Sequence, residues 1–204
     1  IETSQDRDVL NEPVSFLSGA LLEPQEQEHF FLPSVSQETA TLYEHCARGL
    51  DISLAQLGEH GLPLMGSGDW NDGMNRVGAK GCGESVWLGW LLIKALDLFI
   101  PYAQQHETMH PQLPNSEHRA AHWQQQASGL RAALEQSAWD GQWYSRATYD
   151  DGTWLGSQQS DACQIDSIAQ SWAVLSEAAN PERAALAMAS LERQLVRHDQ
   201  QLAL

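Results

Sequence analysis

Apolar residues recur along most of the chain every three to four positions, which is the period of an α-helix. The first such run follows Ser36, which we interpret as an N-cap, and it continues until Gly58 and Gly61 interrupt it. Residues 1–35 lack this period and contain several prolines, so we expect an irregular lead-in with short extended pieces.

The second predicted helix is the most apolar segment of the chain. It begins at Glu84 or Ser85 and extends through Ile100, and we expect Pro101 to end it because proline lacks the backbone N–H that a helix interior needs. Apolar residues cover almost its whole circumference, which is typical of a helix buried inside an assembly. Charged residues interrupt this run before it reaches the length of a transmembrane segment.

Three further helices are predicted in the second half of the chain, at about residues 116–137, 166–179 and 181–197. Ser116 caps the first of them, and the Asn180-Pro181 turn places proline at the first position of the last. Residues 142–147 and 153–155 predict a small hairpin around an Asp-Asp-Gly turn.

A succession of helices with almost no strand indicates an all-α protein, either an α-solenoid or an α/α-toroid. The long connections rich in glycine and tryptophan, without a repeat of fixed period, favour the toroid. We treat residues 1–204 as a single partial domain. The chain begins with isoleucine and stops abruptly, so we expect a piece of a longer protein.

Charge and cysteine content exclude several classes of partner and site. A net charge of −16 argues against a nucleic-acid groove and against direct contact with an anionic membrane surface, so local groups must hold any phosphate. The three cysteines are widely spaced and form neither a disulfide framework nor a metal motif. This pattern, with no signal peptide, predicts a cytoplasmic protein.

The candidate chemistry lies in a glycine-rich loop between the first two helices. There Asp69 and Asp72 bracket Trp70 and Asn71, and loops on a rigid scaffold often carry binding and catalytic groups. An aspartate that transfers a proton beside a tryptophan that stacks on an apolar face suits sugar chemistry. Core packing explains most of the eight tryptophans, but those in loops suit a carbohydrate cleft.

Other sites fit this loop poorly. In a calcium loop counted from Asp69, Met74 would stand where glycine is needed and Lys80 where glutamate is needed. The histidines form no zinc motif, so we expect no metal site. The glycines match no nucleotide-binding pattern, so we expect no bound nucleotide. A hydrolase with paired carboxylates needs the two acids on either side of the scissile bond, roughly 5–10 Å apart. Asp69 and Asp72 are too close in sequence to guarantee that geometry. Turn formation remains open for both aspartates.

The motif GLPLMGSGDWNDGMNRVG followed by GESVWLGW resembles the signature of glycoside hydrolase family 94, the inverting disaccharide and oligosaccharide phosphorylases. The runs TLYEHCARGLD, WDGQWYSRATYDDGTWLGS and IDSIAQSWAVLSEA are similar to the C-terminal domain of cyclic β-1,2-glucan synthases and to β-1,2-oligoglucan phosphorylases. The resemblance implies an (α/α)6 barrel, of which this chain would supply about half together with the small β-hairpin.

The resemblance also implies roles for individual residues. Asp72 would be the general acid and Trp70 would line the glucosyl subsite, while Asp69, Asn71 and Glu84 are candidate substrate-binding residues. Inorganic phosphate would be the co-substrate, with no cofactor, in phosphorolysis of a β-glucan oligosaccharide to glucose 1-phosphate. Because phosphate is itself the nucleophile, one acid suffices.

The same resemblance sets limits on what this chain does alone. A general acid must stay protonated near neutral pH, so its pKa must be raised by burial or by a negative neighbour such as Asp69 or phosphate. The family's phosphate-site residues match no segment here, so we expect the isolated chain to be inactive. Half a toroid would expose apolar surface to the remainder of the barrel or to self-association.

The first hypothesis is a domain of a cyclic glucan synthase, an inner-membrane protein that would hold this domain on its cytoplasmic side. Two alternatives for the function remain open. One is a stand-alone phosphorylase of the β-1,2-oligoglucan or cellobiose type. The other is a non-catalytic, carbohydrate-binding helical module. Glu44 is a further candidate for lining the cleft, and for both Glu44 and Glu84 the alternative is a role as an ion-pair or capping residue.

Overall fold

In the computed structural model of the chain, the described residues are 3–4, 6–21, 23, 26, 29–69, 71–110 and 118–203, with the side chains of Asp72 and Ala203 outside that description. The chain divides into two compact units, Ile1–Ile52 and Ser53–Leu204. Helices predominate over strands in the described part, which confirms the helical prediction. The closed (α/α)6 barrel stays a prediction.

The first unit is built on a β-hairpin. Strands β1 (Pro13–Ser18) and β2 (Ser34–Thr41) pair antiparallel, and helix α1 (Leu42–Leu54) follows β2 directly. His45 of this helix donates from Nε2 to a carbonyl of β1 at 2.9 Å. Its ring stacks on Phe16 with centroids 3.8 Å apart, so the helix is fastened to the hairpin by both contacts.

Strand β1 is one of the short extended pieces expected in residues 1–35, but Ser36 is not an N-cap. Ser36 lies inside β2, and the hydroxyl of Thr41 accepts the hydrogen bond from the Glu44 N–H at 3.2 Å where α1 begins. Thr41-x-x-Glu44 is itself a capping pattern. The pairing of β2 with β1 keeps the residues up to Thr41 extended, so the helix begins only after them.

Glu44 also forms an ion pair within the first unit. Arg48 donates from Nε to its carboxylate at 3.0 Å and from Nη1 to Glu38 at 2.7 Å. A structural role thus accounts for Glu44, as the sequence allowed.

The second unit has α2 (Val86–Met109) at its centre. Helices α3 (Arg119–Ala133) and α4 (Ser167–Leu175) pack against α2, and α5 (Pro181–Leu195) packs against α4. The largest apolar side chains that are fully buried here are Leu62, Trp90, Ile93, Leu96, Trp123, Leu130 and Leu134. Most of these tryptophans and leucines lie on α2 and α3, so this pair of helices forms the main core.

The structure confirms the start of α2 but not its predicted end. The hydroxyl of Ser85 accepts the N–H of Leu88 at 3.2 Å, as expected of an N-cap. The helix then continues past Pro101 to Met109. Ala103, beyond the proline, is fully buried, so continued packing offsets the one hydrogen bond that proline removes.

With this extension α2 is long and apolar enough to cross a membrane, by length and composition only. The sequence analysis placed its apolar run below that length because Lys94 and Asp97 interrupt it. Helices in the cores of globular proteins meet the same criterion, and 50% of this stretch is buried inside the structure.

The later helices agree closely with their predicted positions. Helix α3 ends in a π-helical turn, Leu134–Ala138, near the predicted end at Ser137, while the predicted cap Ser116 lies outside the described residues. Asp166 caps α4, which ends earlier than predicted. Asn180 caps α5 and its proline takes the first helical position, as predicted.

Short strands frame the glycine-rich loop. Strands β3 (Ala147–Thr148) and β4 (Trp154–Leu155) form the predicted hairpin in shorter form, and isolated bridges join Leu64 to Glu84 and Ser85 to Ala147. A last small hairpin pairs β5 (Val196–Arg197) with β6 (Leu202–Ala203). The bridges bring both ends of the loop to the side of β3.

Gly83 marks the closest backbone approach in this frame. A Cβ at this position would lie 2.6 Å from Cα of Gly78 and 2.8 Å from the carbonyl oxygen of Thr148. Because both neighbours are backbone atoms, we expect Gly83→Ala to lower the free energy of unfolding by about 1–3 kcal/mol in urea titrations.

Gly129 provides the matched control, since a Cβ there would meet nothing within 4 Å and the residue lies in α3. Gly129→Ala should raise the free energy of unfolding by about 0.5–1 kcal/mol, because alanine favours a helix interior. Equal stability of the two variants would show that the contact at Gly83 is not tight.

Candidate active site

The loop that carries the candidate acid spans residues 66–83 and contains one 3-10 turn, Asp72–Met74. Asn71 caps this turn, and its Oδ1 accepts the N–H of Gly73 at 3.0 Å. The Asn71 side chain, predicted to bind substrate, is thus exposed and engaged in the turn. Trp70 and the side chain of Asp72 lie outside the described residues, so their roles remain predictions.

Asp69, three residues before Asp72, is buried and forms an ion pair with Arg146. Nη2 of Arg146 lies 2.6 Å from Oδ2 of Asp69, and the two side chains are 1% and 0% exposed. Nη2 makes this contact without a hydrogen bond of good geometry, and Nη1 donates to the Ser85 hydroxyl at 3.2 Å. That hydroxyl donates to Asp69 at 2.8 Å, which closes a three-membered network.

The guanidinium of Arg146 also faces the start of α4 and an indole ring of α2. Its Nε lies 3.7 Å from Oδ2 of Asp166, the N-cap of α4, and its Cζ lies 5.9 Å from the ring centroid of Trp87. Hydrogen bonds fix its backbone on both sides, to Val86 and to Leu155. One side chain therefore ties together the acid loop, two helix starts and the hairpin.

The contacts of Asp69 give it a role in the loop itself. The long hydrogen bond from the Asn71 N–H to Oδ1, at 3.4 Å, resembles an Asx-turn, so part of its role is turn formation. Arg146, 2.6 Å away, compensates the charge of Asp69. Its contacts indicate that Asp69 positions the loop.

Arg146 was missed as a functional residue by the sequence analysis. A signal was present, since Arg146 is the one lysine or arginine between Arg131 and Arg183, in a stretch that holds many acids. An isolated arginine within a short predicted strand needs a carboxylate partner if it points into the core. Which carboxylate it meets depends on the tertiary fold.

Glu84, another predicted substrate-binding residue, is buried with its carboxylate occupied. It accepts the backbone N–H groups of His60 at 3.1 Å and of Leu62 at 3.0 Å. Nδ1 of His60 donates to its second oxygen at 2.5 Å. These contacts give Glu84 a structural role in the turn at residues 58–62.

Asp150 fixes the far side of the loop. Its carboxylate accepts the N–H groups of Lys80 at 2.9 Å, Cys82 at 2.9 Å and Gly83 at 3.0 Å. Burial acts to raise the pKa of Asp150, but these three hydrogen bonds prevail and hold the pKa below its ordinary value. The loop is thus anchored at Asp69 and at Asp150.

Comparison with known families identifies the family to which the chain belongs. Residues 25–203 match the family described as the glycosyl hydrolase 94 superfamily, catalytic domain. The chain belongs to this family. The match includes the acid loop, Arg146 and the Asp150 anchor.

Individual relatives include both a synthase and phosphorylases. The chain is 46% identical over 191 residues, or 94% of its length, to the cyclic beta-(1,2)-glucan synthase NdvB of Rhizobium meliloti (strain 1021), of which it covers 6%. In Paenibacillus borealis, it is 35% identical to a 3-O-beta-D-glucopyranosyl-beta-D-glucuronide phosphorylase over 77% of its length, and 32% identical to a solabiose phosphorylase over 80%. The chain spans 19% and 20% of those two proteins.

The ion pair of Arg146 and Asp69 predicts a coupled loss of stability. Arg146→Met leaves a buried carboxylate without its partner, and Asp69→Asn leaves a buried guanidinium, so each should cost about 3–5 kcal/mol of unfolding free energy. The double variant removes both charges and should cost less than the sum of the two single variants. Urea unfolding of the four proteins gives the coupling energy.

Arg131→Met with Asp97→Asn is the matched control cycle, since that ion pair is partly exposed at side-chain values of 35% and 39%. Each variant of this control cycle should lower the free energy of unfolding by about 1 kcal/mol or less. Strictly additive losses at Arg146 and Asp69 would show that the two charges do not stabilise each other.

The Asp150 anchor predicts a pH-dependent contribution to stability. Since its folded pKa is depressed, the contribution is present above the unfolded value of about 4 and is lost as the pH falls through the folded pKa. Asp150→Asn should therefore destabilise the protein at neutral pH, with a difference from wild type that narrows in acid.

Denaturant titrations at a series of pH values measure this difference. Asp199→Asn, at an exposed position between β5 and β6, is the control and should follow the wild-type curve. A difference between wild type and Asp150→Asn that does not change with pH would contradict the anchor.

Proposed function

We propose that this chain is the acid-bearing part of a catalytic domain for inverting phosphorolysis of a β-glucan, with β-1,2 linkage, within a protein of the cyclic glucan synthase type. The loop Asp69-Trp70-Asn71-Asp72, held by the buried Arg146, carries the proposal. It is supported by membership of the glycosyl hydrolase 94 superfamily and by a relative named as a β-1,2-glucan synthase.

The proposed reaction needs one protein acid. A phosphate oxygen bonds to the anomeric carbon as the bond from that carbon to the glycosidic oxygen breaks, which inverts the configuration and gives α-glucose 1-phosphate. Asp72 gives its proton to the departing oxygen, which becomes a hydroxyl of the shortened glucan. Trp70 would stack on the glucosyl ring during transfer.

The described contacts explain how such an acid could be held in place. Asp72 begins a 3-10 turn that Asn71 caps, and Asp69 fixes the preceding backbone through Arg146. Catalytic groups need positions defined to within about 0.5 Å, and a loop with this many glycines supplies no such order by itself. The buried ion pair and the Asp150 anchor supply it.

A stand-alone phosphorylase is the second candidate, because several relatives bear phosphorylase names with different substrates. The higher identity to the synthase relative favours β-1,2 linkage. The length of the encoded protein and its product from β-1,2-glucan separate the two candidates.

The phosphate and donor sites are proposed to involve residues of the encoded protein beyond this chain, since the chain spans about a fifth of its phosphorylase relatives. We therefore propose that the 204 residues alone are inactive. A cytoplasmic location is proposed on the three free thiols, which suit a reducing compartment.

Asp72→Asn tests the proposal in the full encoded protein. Loss of general acid catalysis should lower the rate of glucose 1-phosphate release from β-1,2-glucan and phosphate by about 10²–10⁴-fold. The measurement is the initial rate in a coupled assay for glucose 1-phosphate. The control variant Asp199→Asn removes an exposed carboxylate of the same chain. It should release glucose 1-phosphate at the wild-type rate.

Glucose 1-phosphate release by Asp72→Asn at the wild-type rate would exclude the residue as the acid. Wild-type protein that binds β-1,2-glucan yet releases no glucose 1-phosphate would instead favour the non-catalytic module.

A further inference from the structure

His60 and Glu84 form a pair that the proposed reaction does not use. The side chain of Glu84 is 2% exposed and accepts a hydrogen bond from Nδ1 of His60, whose side chain is 32% exposed. Because the carboxylate engages Nδ1, Nε2 is the ring nitrogen that remains for a ligand. No described residue forms a hydrogen bond with Nε2, so the imidazole offers this nitrogen to a ligand.

The pair lies at a cavity of about 510 Å³ beside the tip of the β3–β4 hairpin. Tyr149 and Gly152 of this tip also line a neighbouring cavity of about 680 Å³. Trp154 lines the second cavity, and its ring centroid lies 5.3 Å from that of His60. The two cavities therefore adjoin across one aromatic hairpin.

The charges around the cavities select the class of ligand. Neither lysine nor arginine is among the described residues that line them, whereas several carboxylates are, so an anionic ligand would be repelled. The carboxylates of Glu84 and Asp150 already accept backbone hydrogen bonds. Aromatic rings with the remaining acceptors suit a neutral ligand that has apolar faces and many hydroxyl groups.

We infer that these two cavities form a second carbohydrate-binding site, which takes a segment of the glucan chain. Nε2 of His60 forms a hydrogen bond with a sugar hydroxyl, and Tyr149, which is 38% exposed, packs against a sugar face. The identity of the sugar rests on the proposed function. Since the cavities adjoin, affinity should rise with oligosaccharide length until both are filled.

The test uses the full encoded protein with Asp72→Asn, which prevents turnover, and β-1,2-linked gluco-oligosaccharides of increasing length. His60→Asn keeps a donor to Glu84 and lacks Nε2, whereas His60→Gln places an amide near the position of Nε2. Calorimetric Kd values should rise about three- to tenfold for His60→Asn and less for His60→Gln, the cost of one hydrogen bond. Tyr149→Ala should weaken binding and Tyr149→Phe should preserve it.

Hydroxyl-radical footprinting locates the bound sugar without relying on any variant. Protection of Tyr149 and Trp154 by the longer oligosaccharides is expected. Absence of protection, with unchanged Kd values in the Tyr149→Ala variant, would overturn the inference. Protection by polylysine but not by glucan would also overturn it, in favour of a basic peptide.

Glucose 1-phosphate release by the wild-type protein, measured in parallel, separates this inference from the proposed function. Normal release without protection of the hairpin means that only the second site is wrong. Protection without release means that the proposed function is wrong while the second site stands.

Discussion

The burial of Arg146 against Asp69 is the interaction on which the candidate site depends. Removing two charges from water costs several kcal/mol for each ion, and the ion pair offsets this only with close geometry and further hydrogen bonds. Ser85 supplies such bonds by linking both partners. A loop of glycines and small residues is thereby tied to the starts of two helices and to a hairpin.

A second set of contacts holds the end of the loop at Gly83. Gly83 allows three backbone segments to approach within contact distance, and Asp150 gathers three N–H groups that the loop leaves without partners. The loop is accordingly ordered by Arg146, just before β3, and by Asp150 in the turn after it. Its own sequence contributes Asp69, the partner of Arg146, and the turn at Asn71.

Local signals in the sequence sufficed for features that depend on neighbouring residues. The helices that Ser85 and Asn180 cap begin where they were predicted to begin, because capping involves only the next few N–H groups. The local signal was wrong at Ser36, because pairing with β1 places this residue in a strand. It was also wrong at Pro101, because tertiary packing stabilises the helix beyond the proline. Arg146 could be suspected from its isolation, but its pairing with Asp69 requires the fold.

The central claim is that Asp72 protonates the leaving group while phosphate attacks. The most direct measurement compares Asp72→Asn with wild type on β-1,2-glucan and on 2,4-dinitrophenyl β-glucoside, each with phosphate, in the full encoded protein. The dinitrophenolate leaves without a proton, so the variant should be severely slowed on the glucan and close to wild type on the aryl glucoside. Equal impairment on both substrates would contradict a role for Asp72 as the acid.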